Sequence, residues 1–259
     1  MAGRLKPNRR NVPRTKYDTF RSEILMANAT PARTGPPFRV GVRGAIILIV
    51  LIGLVLIYAT DQIVPATSDR QAELRFWMAA RATGIVSFLL LTLQVVLGLV
   101  LSHPTNRSTW NLSKRIFPWH DHLWVFVMAF LVAHIVSLVI DPKAGVSIAG
   151  AFIPGLSEYR SSPVAIGTFA LYAFFVTSIT ARWTKLLPRG VWLMLHRLAL
   201  LIFVMAWMHG VLAGTDTPAL GALYVGAGLA VTFAGAYRYW ASRKRKPTFN
   251  TSRQEVPAP

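Results

Sequence analysis

Six long apolar runs, separated by shorter polar segments, set the organisation of this chain. They lie near Ala45–Thr60, Met78–Ser102, His120–Ile140, Val164–Ala181, Val191–Ala213 and Leu220–Trp240. About 20 apolar residues wound as a helix cross a ~30 Å hydrocarbon core, so each run predicts one membrane-spanning helix. Strand–helix alternation of the kind that builds a nucleotide-binding fold is missing from the pattern. A further apolar piece, Val146–Ile153, is too short to cross and is expected at the outer surface. Trp77, Trp119, Trp183, Trp192 and Trp240 all fall at the predicted ends of spans, where amphipathic rings sit at the headgroup level. The pattern predicts an all-α polytopic membrane protein: a six-helix bundle over residues 44–240, a flexible basic arm over 1–43 and a short basic tail over 241–259.

Composition agrees with that class and charge gives it a direction. Of 259 residues, 53% are hydrophobic and only 15% charged, values outside the soluble globular range. The net charge of +18 is unevenly placed. Ten Lys/Arg lie in residues 1–43, three in 103–119, three in 182–189 and six in 238–259. The alternate loops carry Asp61, Asp69, Glu73, Asp141, Glu158 and Asp216 against Arg70, Arg75, Lys143 and Arg160. Cytoplasmic loops hold the excess of Lys and Arg, so the chain is expected in the cell (inner) membrane with both termini in the cytoplasm. The basic residues border the spans and no folded basic domain exists, which argues against a nucleic-acid partner and for the lipid bilayer. The first apolar run follows an arm too long for a signal peptide's charged region and lacks a small-x-small cleavage pattern, so it is read as uncleaved.

Within the spans, four histidines stand out. His120 and His134 are fourteen residues apart in the third run; His196 and His209 are thirteen apart in the fifth. Ionisable side chains at membrane depth are costly and mark functional sites. Fourteen residues rise about 21 Å along a helix, so each run places one imidazole near each face of the bilayer. The third and fifth runs point the same way, which pairs His120 with His196 near the inner face and His134 with His209 near the outer face. Two imidazoles at one depth offer axial ligands to the two faces of a haem. With no cysteine in the chain, covalent attachment and thiolate ligation are excluded. The expectation is two non-covalent, bis-histidine b haems.

The angular positions test this pairing. At ~100° per residue, fourteen residues return to within about 40° of one face, whereas thirteen miss by about 140°. The fifth run therefore needs a distortion, which Gly210 and Gly214 make easier. His122 competes with His120, but its twelve-residue spacing from His134 misses by about 120°, which favours His120. His103 sits beside Pro104 at a span boundary and reads as a loop residue. Arg81, just inside the outer end of the second run, either snorkels to the headgroups or pairs with a propionate of the outer haem. Arg197, beside His196, has the same two readings at the inner face. Apolar residues between the histidines read as packing and lipid-facing positions.

These residues carry a resemblance. The stretch Ala80-Arg81-Ala82-Thr83-Gly84-Ile85-Val86, the paired histidines and His209-Gly210…Gly214-Thr215-Asp216-Thr217 resemble the ferric reductase-like transmembrane domain, in its actinobacterial-type branch. That superfamily includes ferric reductases, NADPH oxidase membrane domains and the haem subunit of bacterial methionine sulfoxide repair systems; the resemblance covers roughly residues 45–240. It implies ligation of two b haems by His120 with His196 and His134 with His209, and a basic residue, Arg81, beside the outer haem. Full-length oxidases of the family continue into a flavin and NADPH domain, for which this chain has no glycine-rich dinucleotide turn. The resemblance therefore points to a free-standing membrane subunit, fed by a separate flavoprotein reductase or by quinol, with an external acceptor that the sequence does not name. Two other classes stay open at this point. One is a cytochrome b561-like quinol-linked protein; the other is a haem-free scaffold or transporter subunit.

Overall fold

Each apolar run is helical, and most helices extend beyond the hydrophobic segment that marks them. The computed structural model describes residues 41–63, 66–102, 110–183 and 187–243. The expected arm and tail, and His103, fall outside these residues, apart from the helical positions 42–43 and 241–243. The spans are α1 (Val42–Ile63), α2 (Asp69–Leu101) and α3 (Trp110–Ile140), then α5 (Ser161–Arg182), the pair α6 (Arg189–Arg197) and α7 (Ala199–Ala213), and α8 (Thr217–Arg243). A five-residue helix, α4 (Ile148–Phe152), lies in the loop after α3. No strand occurs among the described residues. Six segments are long and apolar enough to cross a bilayer. Large apolar side chains such as Val55 and Phe233 face outward, more than half exposed, as lipid-facing positions do. The protein is a multi-pass membrane protein built as an all-α bundle.

Local chemistry explains where the helices overrun the apolar runs. The second span starts at Asp69, nine residues before the expected Met78, because Ser68 caps it. The Ser68 Oγ accepts from the Gln71 N–H at 3.3 Å, while Gln71 Oε1 reaches back to Thr67 N and Oγ1 at 2.9 and 2.7 Å. This is a capping-box arrangement displaced by one residue. The third span likewise starts ten residues before His120, with Pro118 tolerated near its polar beginning. Inside the bundle, hydroxyls fold back on their own helices: Thr83 on Ala79 O at 2.7 Å and Thr92 on Phe88 O at 2.8 Å. Their polar atoms are thereby satisfied without water.

Packing is uneven. The antiparallel α2 and α3 form the most extensive pair, α5 with α7 the second, and α2 joins the two halves by packing on α7 and α8. Core side chains Phe88, Leu91, Val127, Phe174, Ile202 and Phe203 meet between them. In contrast, α3 is not among the helices that pack closely on α7. These two helices carry histidines that face one another, so a gap is kept open between them.

One end of the bundle gathers the segments 141–160 and 214–216, and is called here the loop end; the other is the tail end. At the loop end, Tyr159 Oη donates to Ala213 O at 2.8 Å and Arg160 Nη1 to Leu212 O at 2.6 Å. These bonds satisfy carbonyls that the C-terminus of α7 leaves without helical partners. Arg160 holds a left-handed backbone, φ 39°, a conformation a bulky residue adopts only at a cost. The apolar piece after α3 forms α4 at this end, with Ile148, Phe152 and Ile153 exposed while Val146 and Ala151 face the interior cavity.

The fifth span differs from expectation. It is two helices, broken at Leu198, whose N–H bonds to Leu195 O at 3.0 Å in a tightened turn. His196 and His209 belong to different helices, so the ~100° rule does not run from one to the other. Gly210 and Gly214 are not the distortion. Gly210 lies where an added Cβ would come within 3.0 Å of the Tyr224 ring, and Gly214 caps the end of α7.

Candidate functional site

The structure brings the four histidines together in two pairs. His120 of α3 faces His196 of α6 with ring centroids 6.0 Å apart and planes at 85°. His134 faces His209 of α7 at 6.4 Å and 81°. All four rings are partly buried. His122 is elsewhere: its Nδ1 bonds to Pro118 O of its own helix at 2.8 Å. His120, not His122, is the residue that meets His196.

Three of the four rings are held by one repeated device. Nδ1 of His134 bonds to Ala80 O at 2.7 Å, Nδ1 of His120 to Gln94 O at 3.1 Å, and Nδ1 of His209 to Pro163 O at 2.9 Å. A carbonyl only accepts, so in each case Nδ1 carries the proton and Nε2 keeps its lone pair. A helical carbonyl is covered by the residue four positions on, whose N–H it accepts. In all three cases that residue is glycine. An added Cβ at Gly84 would lie 2.8 Å from His134 Nδ1; at Gly98, 3.1 Å from His120 Cε1; at Gly167, 2.6 Å from His209 Nδ1. Glycine is what lets the ring reach the carbonyl. The antiparallel packing of α2 on α3 repeats the arrangement: Gly84 and Gly98 are fourteen residues apart, as are His134 and His120.

His196 lacks this device. Its Nδ1 is buried without a hydrogen-bond partner, and its ring stacks on Trp192 at 5.3 Å and 12°. Around the same pair, Gln94 donates from Nε2 to His120 O at 3.0 Å. Arg182 bonds to the Asp121 carboxylate at 3.2 Å and to Asp121 O at 2.8 Å, and lies over the Trp124 ring.

A cavity of about 220 Å³ surrounds the loop-end pair. Its walls include His134, His209, Gly84, Gly167, Arg81 and Asp216. Arg81 and Asp216 form an ion pair there, both partly exposed. The segment Ala80–Val86 and the segment Gly214–Thr217 thus meet at the mouth of one cavity. Arg197 is exposed at the end of α6 and makes no hydrogen bond or ion pair among the described residues.

The donor sets limit what the pairs can hold. Among the described residues no group of three or more His, Cys, Asp or Glu converges; each site offers two imidazoles. Two imidazoles on opposite sides suit a metal whose other four ligands come with it in a flat macrocycle. Metal–imidazole bonds of about 2.0–2.1 Å, with about 1.2 Å more from each Nε2 to its ring centre, place such centroids roughly 6.4 Å apart. The observed centroid separations are 6.0 and 6.4 Å, with the ring planes near perpendicular in each pair. Nδ1–H bonds to backbone carbonyls fix the tautomer and rotation of metal-binding histidines, and three of the four have them.

In the sequence Gly84 read only as part of the Ala80–Val86 stretch and Trp192 only as an interfacial ring; Gly98, Gly167 and Gln94 carried no expectation. The equal spacing of Gly84–Gly98 and His120–His134 is the signal that could have singled out two of the glycines. Comparison of the chain with protein-family models, curated proteins and solved structures gives no match.

Proposed function

We propose that this protein is a transmembrane electron conduit of the ferric reductase-like kind, with one b haem held by His134 and His209 and another by His120 and His196. The observation that carries the reading is the pair of facing imidazoles at each end of the bundle, separated by about 21 Å of helix rise and set across a gap between helices. The meeting of the Arg81 and Asp216 segments at the cavity mouth supports the family resemblance, since both segments carry it.

When bound, each haem supplies a one-electron iron couple. The chain's own residues do the rest. Ala80, Gln94 and Pro163 carbonyls hold three imidazoles by their Nδ1–H and aim Nε2 inward, which also raises the basicity of the ligating nitrogen. Leu91, Val127, Phe174 and Ile202 are buried core residues that form an apolar part of the loop-end cavity wall. Arg81, balanced by Asp216, offers a cation to a carboxylate at the rim of the loop-end site. The positive-inside pattern supports a cytoplasmic tail end. Electrons then enter there from a separate flavoprotein or a quinol and leave toward an acceptor at the outer, loop end of the cell membrane.

Liposomes carrying the haem-loaded protein, with ferricyanide trapped inside and a membrane-impermeant reductant outside, test the conduit. Trapped ferricyanide should be consumed, and a His134→Ala, His209→Ala double variant should fall to the rate of empty liposomes. Equal rates for the two proteins would overturn the reading.

A further inference from the structure

Two histidine pairs of the same composition are not built alike. At the loop end, both rings are pinned by a backbone carbonyl and a glycine that opens access to it. At the tail end, His120 is pinned in the same way, but His196 has a buried Nδ1 with no partner; its ring stacks on Trp192 and meets His120 edge-on. Its helix, α6, is nine residues long and has no buried residue. The helix break at Leu198 follows two positions later, so His196 sits in the last turn of α6, next to the point where the regular helix is interrupted. Segments with few buried contacts open locally at the lowest cost. An unpinned ligand on such a segment leaves its metal more readily than one locked by a second bond.

We propose that His196 is an exchangeable ligand and that the tail-end pair is a binding site for small neutral molecules that bond to ferrous iron. This rests on the two-haem reading above. The exchange breaks the bond from His196 Nε2 to iron and forms one from the incoming molecule to iron; no electron or proton is transferred. Trp192 acts as the positioning residue that holds the displaced ring close. The loop-end pair, with both rings pinned, stays closed to the same molecules.

Carbon monoxide added to the dithionite-reduced, haem-loaded full-length protein is the probe, followed by absorbance. One of the two haems should form the carbon monoxide adduct. His134→Ala, which removes the loop-end haem, should keep the adduct on the haem that remains. Trp192→Ala should speed carbon monoxide binding several-fold, while Trp192→Phe, which keeps a stacking ring, should stay near the parent rate. His196→Gly, which loses the tail-end haem, should recover it with a six-coordinate spectrum when free imidazole is supplied during haem loading. Two bound haems with no adduct, an adduct on both, or loss of the adduct in His134→Ala would overturn the proposal and leave the two-haem reading intact. A protein that binds no haem would overturn both.

Discussion

The loop-end and tail-end histidine pairs have nearly the same ring separation, 6.4 and 6.0 Å, yet they reach it by different means. At the loop end, helix backbone sets both rings, through Ala80 and Pro163 carbonyls exposed by Gly84 and Gly167. At the tail end, one ring is set by backbone and the other by a stacked indole on a short helix. The difference teaches that a buried histidine ring's direction is fixed less by its own helix than by the neighbour that receives its Nδ1–H. His196 and His209 also lie on different helices, separated at Leu198, so their thirteen-residue spacing is not a spacing along one regular helix.

The sharpest way to break the comparison is to close the glycine clefts. Gly167→Ala puts a methyl 2.6 Å from His209 Nδ1, so the ring must leave Pro163 O. Crowding costs about 1–3 kcal/mol and the lost hydrogen bond about 1 kcal/mol more. Loop-end haem content and thermal stability should both fall, and Gly84→Ala should follow closely. Gly98→Ala, whose nearest contact is 3.1 Å from a ring carbon, should do less at the tail end. Gly226→Ala, which meets nothing within 4 Å, should be neutral or stabilising by up to about 1 kcal/mol. Equal losses from Gly167→Ala and Gly226→Ala would show that the clefts do not hold the rings.

Charge sharpens the comparison next, because Arg81 and Asp216 border only the loop-end cavity. A unit charge about 10 Å away, at an effective dielectric of about 20, changes an iron couple by roughly 1–2 kcal/mol. A cation favours the reduced iron, so Arg81→Ala should lower the loop-end potential and Asp216→Asn should raise it. The tail-end potential should stay put in both. Redox titration by absorbance reads all four values, and shifts of the same sign in the two variants would contradict the assignment. The pair itself is partly exposed and should contribute no more than about 1 kcal/mol to stability.

The smallest expected effect is at the Tyr159 clamp. Tyr159→Phe removes its bond to Ala213 O and should cost about 0.5–1.5 kcal/mol, measured as a lower thermal midpoint. By loosening the end of α7 it should broaden the loop-end haem signal and leave the tail-end signal unchanged.

The six spans were legible because a bilayer demands long apolar runs, and the run at each helix is what the sequence displays most openly. Helix ends were less so: hydropathy marks the part in hydrocarbon, while the polar turns at Asp69–Trp77 and Trp110–Trp119 are helical through capping and continuation. The pairing of the histidines by depth followed from rise per residue, and the preference for His120 over His122 followed from helical angle. The break at Leu198 was not legible, since neither proline nor glycine marks it and Gly210 and Gly214 drew attention to the wrong place. Backbone carbonyls cannot be seen as ligand partners in a sequence at all. Only the glycines that uncover them leave a trace.

The most direct test of the two-haem reading is the haem count in a set of single variants, by pyridine haemochrome after acid-acetone extraction. The parent protein should yield two extractable b haems per chain. His120→Ala, His134→Ala, His196→Ala and His209→Ala should each yield about one, because each leaves a site with a single imidazole. His122→Ala, whose ring bonds its own helix at Pro118 O, should keep two. A parent protein without haem, or a His122→Ala variant that loses haem while His120→Ala retains both, would contradict the account.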